Sequence, residues 1–466
     1  MADPAGAGGG GGLGEGGGVK RLLERLDRFW FEPARLTDLA IVRIVVVAME
    51  LLLLLSPYLA DTVGACVGCS LPYQRWLVTL SGDQYRPLPT MQVLMLPLGR
   101  HARPELMFLE AVWLAAVVGG VGALIGRYTR LSLFALAAGS TLLTAHAYSY
   151  GERHHPEALL TIMLWTLVLV PSGARLSLDA LLFRVRLARA TGRFHQRPPE
   201  PELSPHARWP LRLMQVMLSL AYFSAGYSKL MNGGLAWLNG YTLAHYIAGD
   251  AIVRGSAFGV WLARHMALLR LMSVGALVIE LGFWVVLFWP RLVWLGVVAG
   301  AGLHVGIYVL QRAPFPQFIA LYVVFIDELR RYSPFRRRAA KPAPVWTVVY
   351  DGLCPLCIRT MTVLDALDWR HRLAFVDLER DWGRAAALAP GLSAGAARHA
   401  MHVVAPDGTV YRGYAAFRRL ASVLPLLWPL APLMALPLAD RVGSAVYDGV
   451  ARNRGRIPCR AETCAV

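Results

Sequence analysis

The chain has 466 residues, of which 56% are hydrophobic and 17% are charged, and its mean hydropathy is +0.45. Soluble proteins average about 45–50% apolar and about 25% charged residues, so this composition disfavours an ordinary soluble protein. The net charge of +17 would suit a nucleic-acid-binding protein, but no nucleic-acid motif accompanies it, and the arginines cluster in short loops between apolar segments. We therefore expect the lipid bilayer, and no nucleic acid, as a partner.

The first part of the chain predicts a series of membrane-crossing helices. Residues 1–18 are Gly-rich without an apolar run, which predicts a disordered tail rather than a signal peptide. A crossing helix needs about 20 predominantly apolar residues. About eight segments fit, or seven if the short last one does not cross: Leu36–Leu59, Glu105–Gly126, Leu131–Tyr150, Ala158–Leu176, Leu211–Lys229, Leu268–Phe288, Leu292–Leu310 and Phe318–Leu329.

The basic residues predict the orientation of these spans. Cytoplasmic loops of membrane proteins carry an excess of Lys and Arg. With eight spans, the basic clusters at 20–35, 127–130, 175–212 and 330–341 all fall on one side. We therefore predict a multi-pass protein of the cytoplasmic (inner) membrane, with both termini in the cytoplasm.

A basic, Pro-rich linker at 332–344 separates the membrane domain, 19–331, from a region of different composition. Short runs of strand-forming residues occur at Val345–Tyr350 and Leu373–Asp377, and 401–414 reads as a hairpin around Pro406-Asp407-Gly408. A helix is expected at Ile358–Trp369. The predicted fold class is thus a polytopic α-helical membrane bundle plus a small α/β thioredoxin-like domain with a Cys-containing tail, 345–466.

The six cysteines form three close pairs, which indicates redox or metal chemistry. Cys66/Cys69 lies in the predicted outer loop, where it is either a structural disulfide or an external redox dithiol. Cys459/Cys464 lies near Cys354/Cys357 on the inner side. This tail pair is idle, exchanges with the CxxC as an accessory redox pair, or joins it in a zinc site; we expect no metal.

The CxxC at 354–357 follows a predicted strand and begins a predicted helix. A cysteine at a helix N-terminus is favoured as a thiolate by the helix dipole. A second cysteine one turn later can attack a mixed disulfide formed by the first. Cys354 is therefore the predicted nucleophile and Cys357 the resolving thiol of a redox-active disulfide.

The motif Asp351-Gly-x-Cys354-x-x-Cys357 resembles the DCC family of thiol–disulfide oxidoreductases, as do the Gly408 hairpin and the closing Tyr447…Arg454 segment. The resemblance covers about 345–456 and implies thiol–disulfide exchange with a thiol protein or peptide. It departs from thioredoxin in one respect, since no proline directly precedes the Met401 strand.

Several ionisable residues fall in or near the predicted spans, where they are costly and often functional. They are His146, His154, His155, Lys229, Glu280 and His304. We expect Glu280 and His304 to face the bundle interior, where they can pair with each other. Lys229 either reaches the interface or has a chemical role.

The run Tyr222-Phe-Ser-Ala-Gly-Tyr-Ser-Lys229-Leu, with the earlier histidines and the later His304, resembles the HTTM family, whose membrane domain is shared with vitamin K-dependent γ-carboxylases. That resemblance covers roughly 27–331. It implies Lys229 as catalytic base, His155 (or His154) and His304 as catalytic histidines, and a quinone or hydroquinone of the vitamin K type near Lys229, Glu280 and Tyr222.

These observations predict a membrane-bound, quinone-linked thiol–disulfide oxidoreductase with a carboxylase-like bundle. One alternative is γ-carboxylase-like modification of a peptide partner. Another is a non-redox transporter or processing factor with a regulatory dithiol domain, in which Lys229, Glu280 and His304 line a substrate or proton path.

Overall fold

The computed structural model describes residues 15–56, 69–151, 155–198, 202–311, 315–334 and 345–454. The chain divides into two compact units. The helical unit comprises residues 1–176 and 202–334, and the mixed unit comprises residues 177–201 and 335–466.

The described helices are, in chain order, α1 (Glu15–Phe31), α2 (Leu36–Leu54), α3 (Leu71–Leu77), α4 (Pro89–Leu94), α5 (Leu106–Ile125), α6 (Thr129–Tyr148), α7 (His155–Leu169), α8 (Leu178–Thr191), α9 (Pro205–Gly233), α10 (Tyr241–Arg254), α11 (Ala257–Leu262), α12 (Met266–Gly282), α13 (Val293–Gln311), α14 (Pro316–Leu321), α15 (Ile326–Arg331), α16 (Pro355–Leu367), α17 (Trp382–Leu388), α18 (Ala394–His399), α19 (Tyr414–Val423), α20 (Ala431–Met434) and α21 (Pro437–Asn453). The described strands are β1 (Ala34–Arg35), β2 (Leu203–Ser204), β3 (Trp346–Tyr350), β4 (Leu373–Asp377), β5 (His402–Val404) and β6 (Val410–Arg412).

Four helical stretches of the described residues are long and apolar enough to cross a membrane: Leu106–Ile125, Thr129–Tyr148, Met266–Leu287 and Pro290–Gln311. The predicted eight spans are therefore not confirmed. Helix α7 is too short, and the predicted last span is broken into α14, a 3-10 turn at Tyr322–Phe325, and α15. Helix α1 begins at Glu15, so the last residues of the predicted disordered tail are helical.

Buried charges explain why two more long helices differ from simple lipid-facing spans. Arg43 of α2 is fully buried and donates to the backbone oxygen of Ser172 at 2.8 Å. Arg208 of α9 is 2% exposed and its guanidinium lies 3.1 Å from Asp327. These side chains lie inside the helical unit, paired with groups distant in sequence, so they do not serve only as flanking signals of orientation.

The mixed unit is built on a four-stranded sheet with the order β4-β3-β5-β6. Strands β3 and β4 are parallel and joined through α16, whereas β5 pairs antiparallel with both β3 and β6. Successive residues of β3 face opposite sides, so Val348 packs in one core and Val349 in the other. The small mixed sheet and the predicted hairpin are confirmed, and the CxxC lies where β3 leads into α16.

The mixed unit also contains residues 177–201, which the sequence analysis assigned to the membrane domain. Phe194 packs against Phe375 of β4, with ring centroids 4.8 Å apart. Arg184 of α8 and Arg197 both donate to Asp365 of α16, whose side chain is buried. This segment is therefore part of the structure that supports the helix of the CxxC.

Candidate functional site

The site is centred on the loop between β3 and α16. Cys354 is the N-cap residue of α16, and Pro355 occupies the first turn. The Cys354 Sγ accepts a hydrogen bond from the backbone N–H of Cys357 at 3.4 Å. Cys354 is 7% exposed and Cys357 is half-buried. The predicted placement of the nucleophile at the start of the helix is what the structure shows.

The two thiols have opposite acid–base properties. The hydrogen bond from the Cys357 side chain, helped by its backbone N–H and by Arg454, lowers the pKa of Cys354 to about 6 against the opposing effect of burial. The hydrogen bond that the Cys357 side chain makes to Cys354, together with burial, raises the pKa of Cys357. Cys354 is therefore largely a thiolate at neutral pH while Cys357 keeps its proton, which suits attack by the first and later resolution by the second.

Asp351 and Gly352 shape the loop ahead of Cys354. The Asp351 carboxylate accepts from the Leu353 N–H at 3.0 Å, and the Arg454 guanidinium lies 3.9 Å from it. A Cβ on Gly352 would lie 2.2 Å from the carboxylate oxygens of Asp377 at the end of β4. The Asp-Gly of the motif thus has a local reason: a turn-closing carboxylate followed by a residue without a side chain.

An apolar groove of about 390 Å³ opens beside Cys357. It is lined by α16, α19, α21 and the residue that precedes β5, including Met361, Met401, Phe417 and Tyr447. The Tyr447 hydroxyl accepts a hydrogen bond from the Met401 N–H at 2.8 Å. Arg454, the last described residue, also lines the groove.

The candidate residues of the helical unit form a separate group. Lys229 of α9 donates to both carboxylate oxygens of Glu280 of α12 at 2.7 Å. Gly226, one turn before the lysine, lets these helices approach, because a Cβ there would lie 2.9–3.0 Å from Leu281 and Glu280. The expected pairing of Glu280 with His304 is therefore wrong, because the lysine takes both oxygens.

Tyr222 and His304 lie in an aromatic cluster of the helical unit. The Tyr222 hydroxyl hydrogen-bonds to that of Tyr322, and its ring stacks on Phe283 at 4.4 Å. The His304 ring stacks on Phe318 at 4.2 Å and meets Tyr222 edge-on at 5.8 Å. The structure thus brings Tyr222 and His304 together, as a mostly apolar cluster.

The remaining candidates are only partly described. Cys69 is buried in the core of the helical unit, 1% exposed, whereas Cys66 lies outside the described residues. His155 is the first residue of α7, but the structure does not describe its side chain. His154, Cys459 and Cys464 lie outside the described residues. The described part of the chain contains no group of three or more His, Cys, Asp or Glu placed to hold a metal.

Sequence reasoning missed the contribution of residues 184–197 to the CxxC helix. Their arginines were attributed to membrane orientation alone. Asp365 is a carboxylate on an otherwise amphipathic helix, and an earlier loop is basic. The two features taken together could have indicated the contact. That signal is weak, because about 170 residues separate the partners.

Comparison with known proteins bears on the mixed unit. Residues 348–460 match the family of DCC1-like thiol-disulfide oxidoreductases. An uncharacterized chloroplastic protein of Arabidopsis thaliana is 28% identical over 137 residues, which cover 29% of this chain and 63% of that protein. The chain thus spans less than two thirds of that relative's length. No solved structure matches.

The match confirms the predicted DCC-type domain and supports a redox role for it. The resemblance of the helical unit to HTTM proteins and carboxylases stays a prediction, as do peptide carboxylation and transport.

Proposed function

We propose that this protein is a membrane-anchored thiol–disulfide oxidoreductase whose catalytic pair is Cys354 and Cys357. The observation that carries the proposal is the Cys354 Sγ, held at the start of α16 by the Cys357 N–H at 3.4 Å, with a pKa lowered to about 6. An ordinary cysteine, with a pKa of about 8.5, is only a few per cent thiolate at pH 7, so this site gains more than tenfold in reactive form.

The exchange runs in two steps. The Cys354 thiolate attacks one sulfur of a substrate disulfide, forms a mixed disulfide, and releases the other sulfur, which takes a proton. Cys357 then loses its proton, attacks the Cys354 Sγ, and releases the second substrate thiol. The substrate gains two electrons and two protons, and the Cys354–Cys357 disulfide holds the oxidised state.

The membrane arrangement is the second part of the proposal. The four apolar helices supply the anchor. Residues 177–201 and 335–466 share one compact unit, so both stretches lie on the same face of any membrane that the helices cross. Since the first stretch carries one of the Arg-rich loops, we assign the CxxC to the cytoplasmic face.

The test uses the full chain in detergent, with dithiothreitol as reductant and 2,2′-dithiodipyridine as a neutral disulfide reporter. We expect catalysed release of thiopyridone by the wild type and only the uncatalysed rate with Cys354→Ser. The variant Cys357→Ser/Cys459→Ser/Cys464→Ser, treated with the reporter without dithiothreitol, should stall with a thiopyridyl group on Cys354, visible in a peptide mass map. Unchanged turnover with Cys354→Ser would overturn the proposal.

We further propose that the tail pair Cys459/Cys464 exchanges electrons with the CxxC, entering through the apolar groove. Arg454 lines that groove and lies 3.9 Å from Asp351, three residues before Cys354. Cys459 follows Arg454 by five residues, a reach of up to about 17 Å. The intervening Ile457 and Pro458 are apolar, like the groove.

A disulfide-trapping experiment tests the tail. In a Cys357→Ser variant, a mixed disulfide between Cys354 and Cys459 should accumulate during mild oxidation and appear in a non-reducing peptide map. Adding Cys459→Ser should remove that species. A map in which Cys354 pairs only with added thiols or other proteins would contradict tail exchange.

For the helical unit we propose a quinone-type ligand near Tyr222, His304 and the Lys229–Glu280 pair. The stacked rings suit a planar head group, and the tyrosine hydroxyls and the lysine can bond its oxygens. Such a group supplies two-electron, two-proton chemistry when bound.

This part is tested with a short-chain quinone added to the reduced full chain. Quinone reduction that depends on Cys354 and falls severalfold with Tyr222→Phe, while Phe223→Leu on the same helix has no effect, supports the assignment. Equal rates in all variants contradict it.

A further inference from the structure

A second cavity, of about 180 Å³, adjoins the loop that carries Cys354. Its walls are the end of α8, the loop residues Gly352 and Leu353, the first turns of α16 from Pro355, the last residue of β4 and two residues that follow it. It lies within the mixed unit and is distinct from the apolar groove, which contains Cys357 but none of these loop residues.

The charge of this cavity is unbalanced. Arg189, Arg193, Arg359 and Arg380 line it, against Asp377 and Glu379. Both carboxylates are already engaged: Glu379 bonds Arg398 at 2.9 Å, and Asp377 accepts the Glu379 N–H at 3.0 Å with Arg380 3.6 Å away.

Three guanidinium groups are left over. Among the described residues, no carboxylate lies within ion-pair distance of Arg189, Arg193 or Arg359. Guanidinium groups bind carboxylates, sulfonates and phosphates through paired N–H donors.

The size of the cavity limits the ligand. The volume of about 180 Å³ is room for a small molecule.

We infer that this cavity binds a small anionic thiol and its disulfide, which exchange with Cys354. The inference rests on the proposed function and names a substrate class for it. The cavity walls include Leu353 and Pro355, the residues on both sides of Cys354, so a ligand whose acidic group meets the arginines lies beside the loop that carries the nucleophile.

The chemistry balances without another reactant. The Cys354 thiolate attacks the anionic disulfide RSSR, forms Cys354–S–S–R, and releases RS⁻, which takes a proton. Cys357 attacks the Cys354 Sγ and releases the second thiol. One RSSR becomes two RSH as the pair is oxidised, and the reverse sequence reduces the pair.

Three thiols of one skeleton test the inference: 2-mercaptoethanesulfonate (anionic), 2-mercaptoethanol (neutral) and cysteamine (cationic). Each reduces the oxidised full chain in detergent, the Cys354 thiol being quantified by mass after alkylation. Rates are divided by the thiolate concentration of each reagent. We expect the anionic thiol to react fastest, then the neutral one, then the cationic one.

The variant Arg189→Ala/Arg193→Ala should lower the ratio of anionic to neutral rates by about three- to tenfold, since exposed ion pairs contribute about 0.2–1 kcal/mol each. Arg186→Ala is the matched control, because Arg186 is exposed on the same helix but does not line the cavity. It should keep the wild-type ratio, whereas 1 M NaCl should reduce the ratio of the wild type.

The inference is overturned by a ratio near one in the wild type, or by an equal loss of the ratio in Arg186→Ala and in the double variant. In either case, normal reduction by 2-mercaptoethanol would leave the proposed function standing. Failure of the neutral thiol to reduce Cys354 would instead remove the proposed function itself.

Discussion

The two units treat their reactive groups in opposite ways. In the helical unit the Lys229 ammonium and the Glu280 carboxylate neutralise each other at 2.7 Å, with side chains 25% and 9% exposed. In the mixed unit the hydrogen bond between Cys354 and Cys357 shifts their pKa values in opposite directions, and a cavity opens on each side of the CxxC. A matched pair holds helices together, whereas an unequal pair leaves one group ready to react.

This difference has a practical meaning for assigning function. A polar residue in an apolar helix often marks a functional site, but a complete ion pair accounts for its presence without chemistry. The thiols have no such explanation, since a buried structural cysteine would have its pKa raised by burial. Substitutions in the ion pairs and in the thiol pair should therefore have different effects.

The largest effect is expected at Asp365, a matched group within the mixed unit. Its buried carboxylate, 5% exposed, accepts from Arg184 and Arg197, whose side chains are 18% and 17% exposed. Asp365→Ala leaves two partly buried guanidinium groups without the carboxylate that they share and should lower the free energy of unfolding of this unit by about 3 kcal/mol. Thermal unfolding and protease cleavage within 184–197 would report the loss. Asp381→Ala, an exposed helix cap, is the control, with a loss of about 1 kcal/mol.

The next effect tests the matched pair of the helical unit. Lys229→Met should destabilise the protein in detergent by about 2 kcal/mol, because Glu280 then loses both of its hydrogen-bond donors. Adding Glu280→Met should recover part of that loss, since no unpaired charge remains. If the two losses add, the residues do not act as a pair.

The third effect concerns the unequal pair. Cys357→Ala removes the side chain whose hydrogen bond lowers the pKa of Cys354 most. The pKa of Cys354 should rise from about 6 to about 7, and alkylation at pH 6 should slow about fivefold. Iodoacetamide labelling followed by mass spectrometry measures the rate. An unchanged rate would mean that the backbone N–H and Arg454 suffice.

The smallest effect is expected at the groove. Tyr447→Phe leaves the Met401 N–H without its acceptor at 2.8 Å and should lower the free energy of unfolding by about 1 kcal/mol. The rate of Cys354 alkylation should stay within twofold. A larger change in rate would show that the groove wall also controls the nucleophile.

Local features of the mixed unit could be predicted from the sequence. The strand before Asp351, the helix that begins at Pro355 and the Gly408 hairpin depend on neighbouring residues, and each lies close to its predicted place. The position of Cys354 at the start of that helix followed from the same local geometry. The contacts of Arg184 and Arg197 with Asp365 of this helix could not be predicted, because a basic loop has the same sequence pattern whether it flanks a membrane or binds a distant carboxylate.

The helical unit was harder to predict for the same reason. Apolar length identified helices, but α2 and α9 carry Arg43 and Arg208, whose partners Ser172 and Asp327 lie more than 100 residues away. The sequence therefore indicated eight spans, whereas four helical stretches among the described residues are long and apolar enough to cross a membrane. Likewise, spacing alone could not show whether Glu280 meets Lys229 or His304.

The most direct test of the central claim is the pH dependence of Cys354 alkylation in the reduced full chain. The pKa of this thiol is lowered to about 6, so it is neutral below that pH and a thiolate above it, and the rate should rise between pH 5 and 7 with a midpoint near pH 6 and then level off. A rate that still rises steeply above pH 8, with a midpoint near the ordinary value of about 8.5, would contradict the assignment of Cys354 as the activated nucleophile.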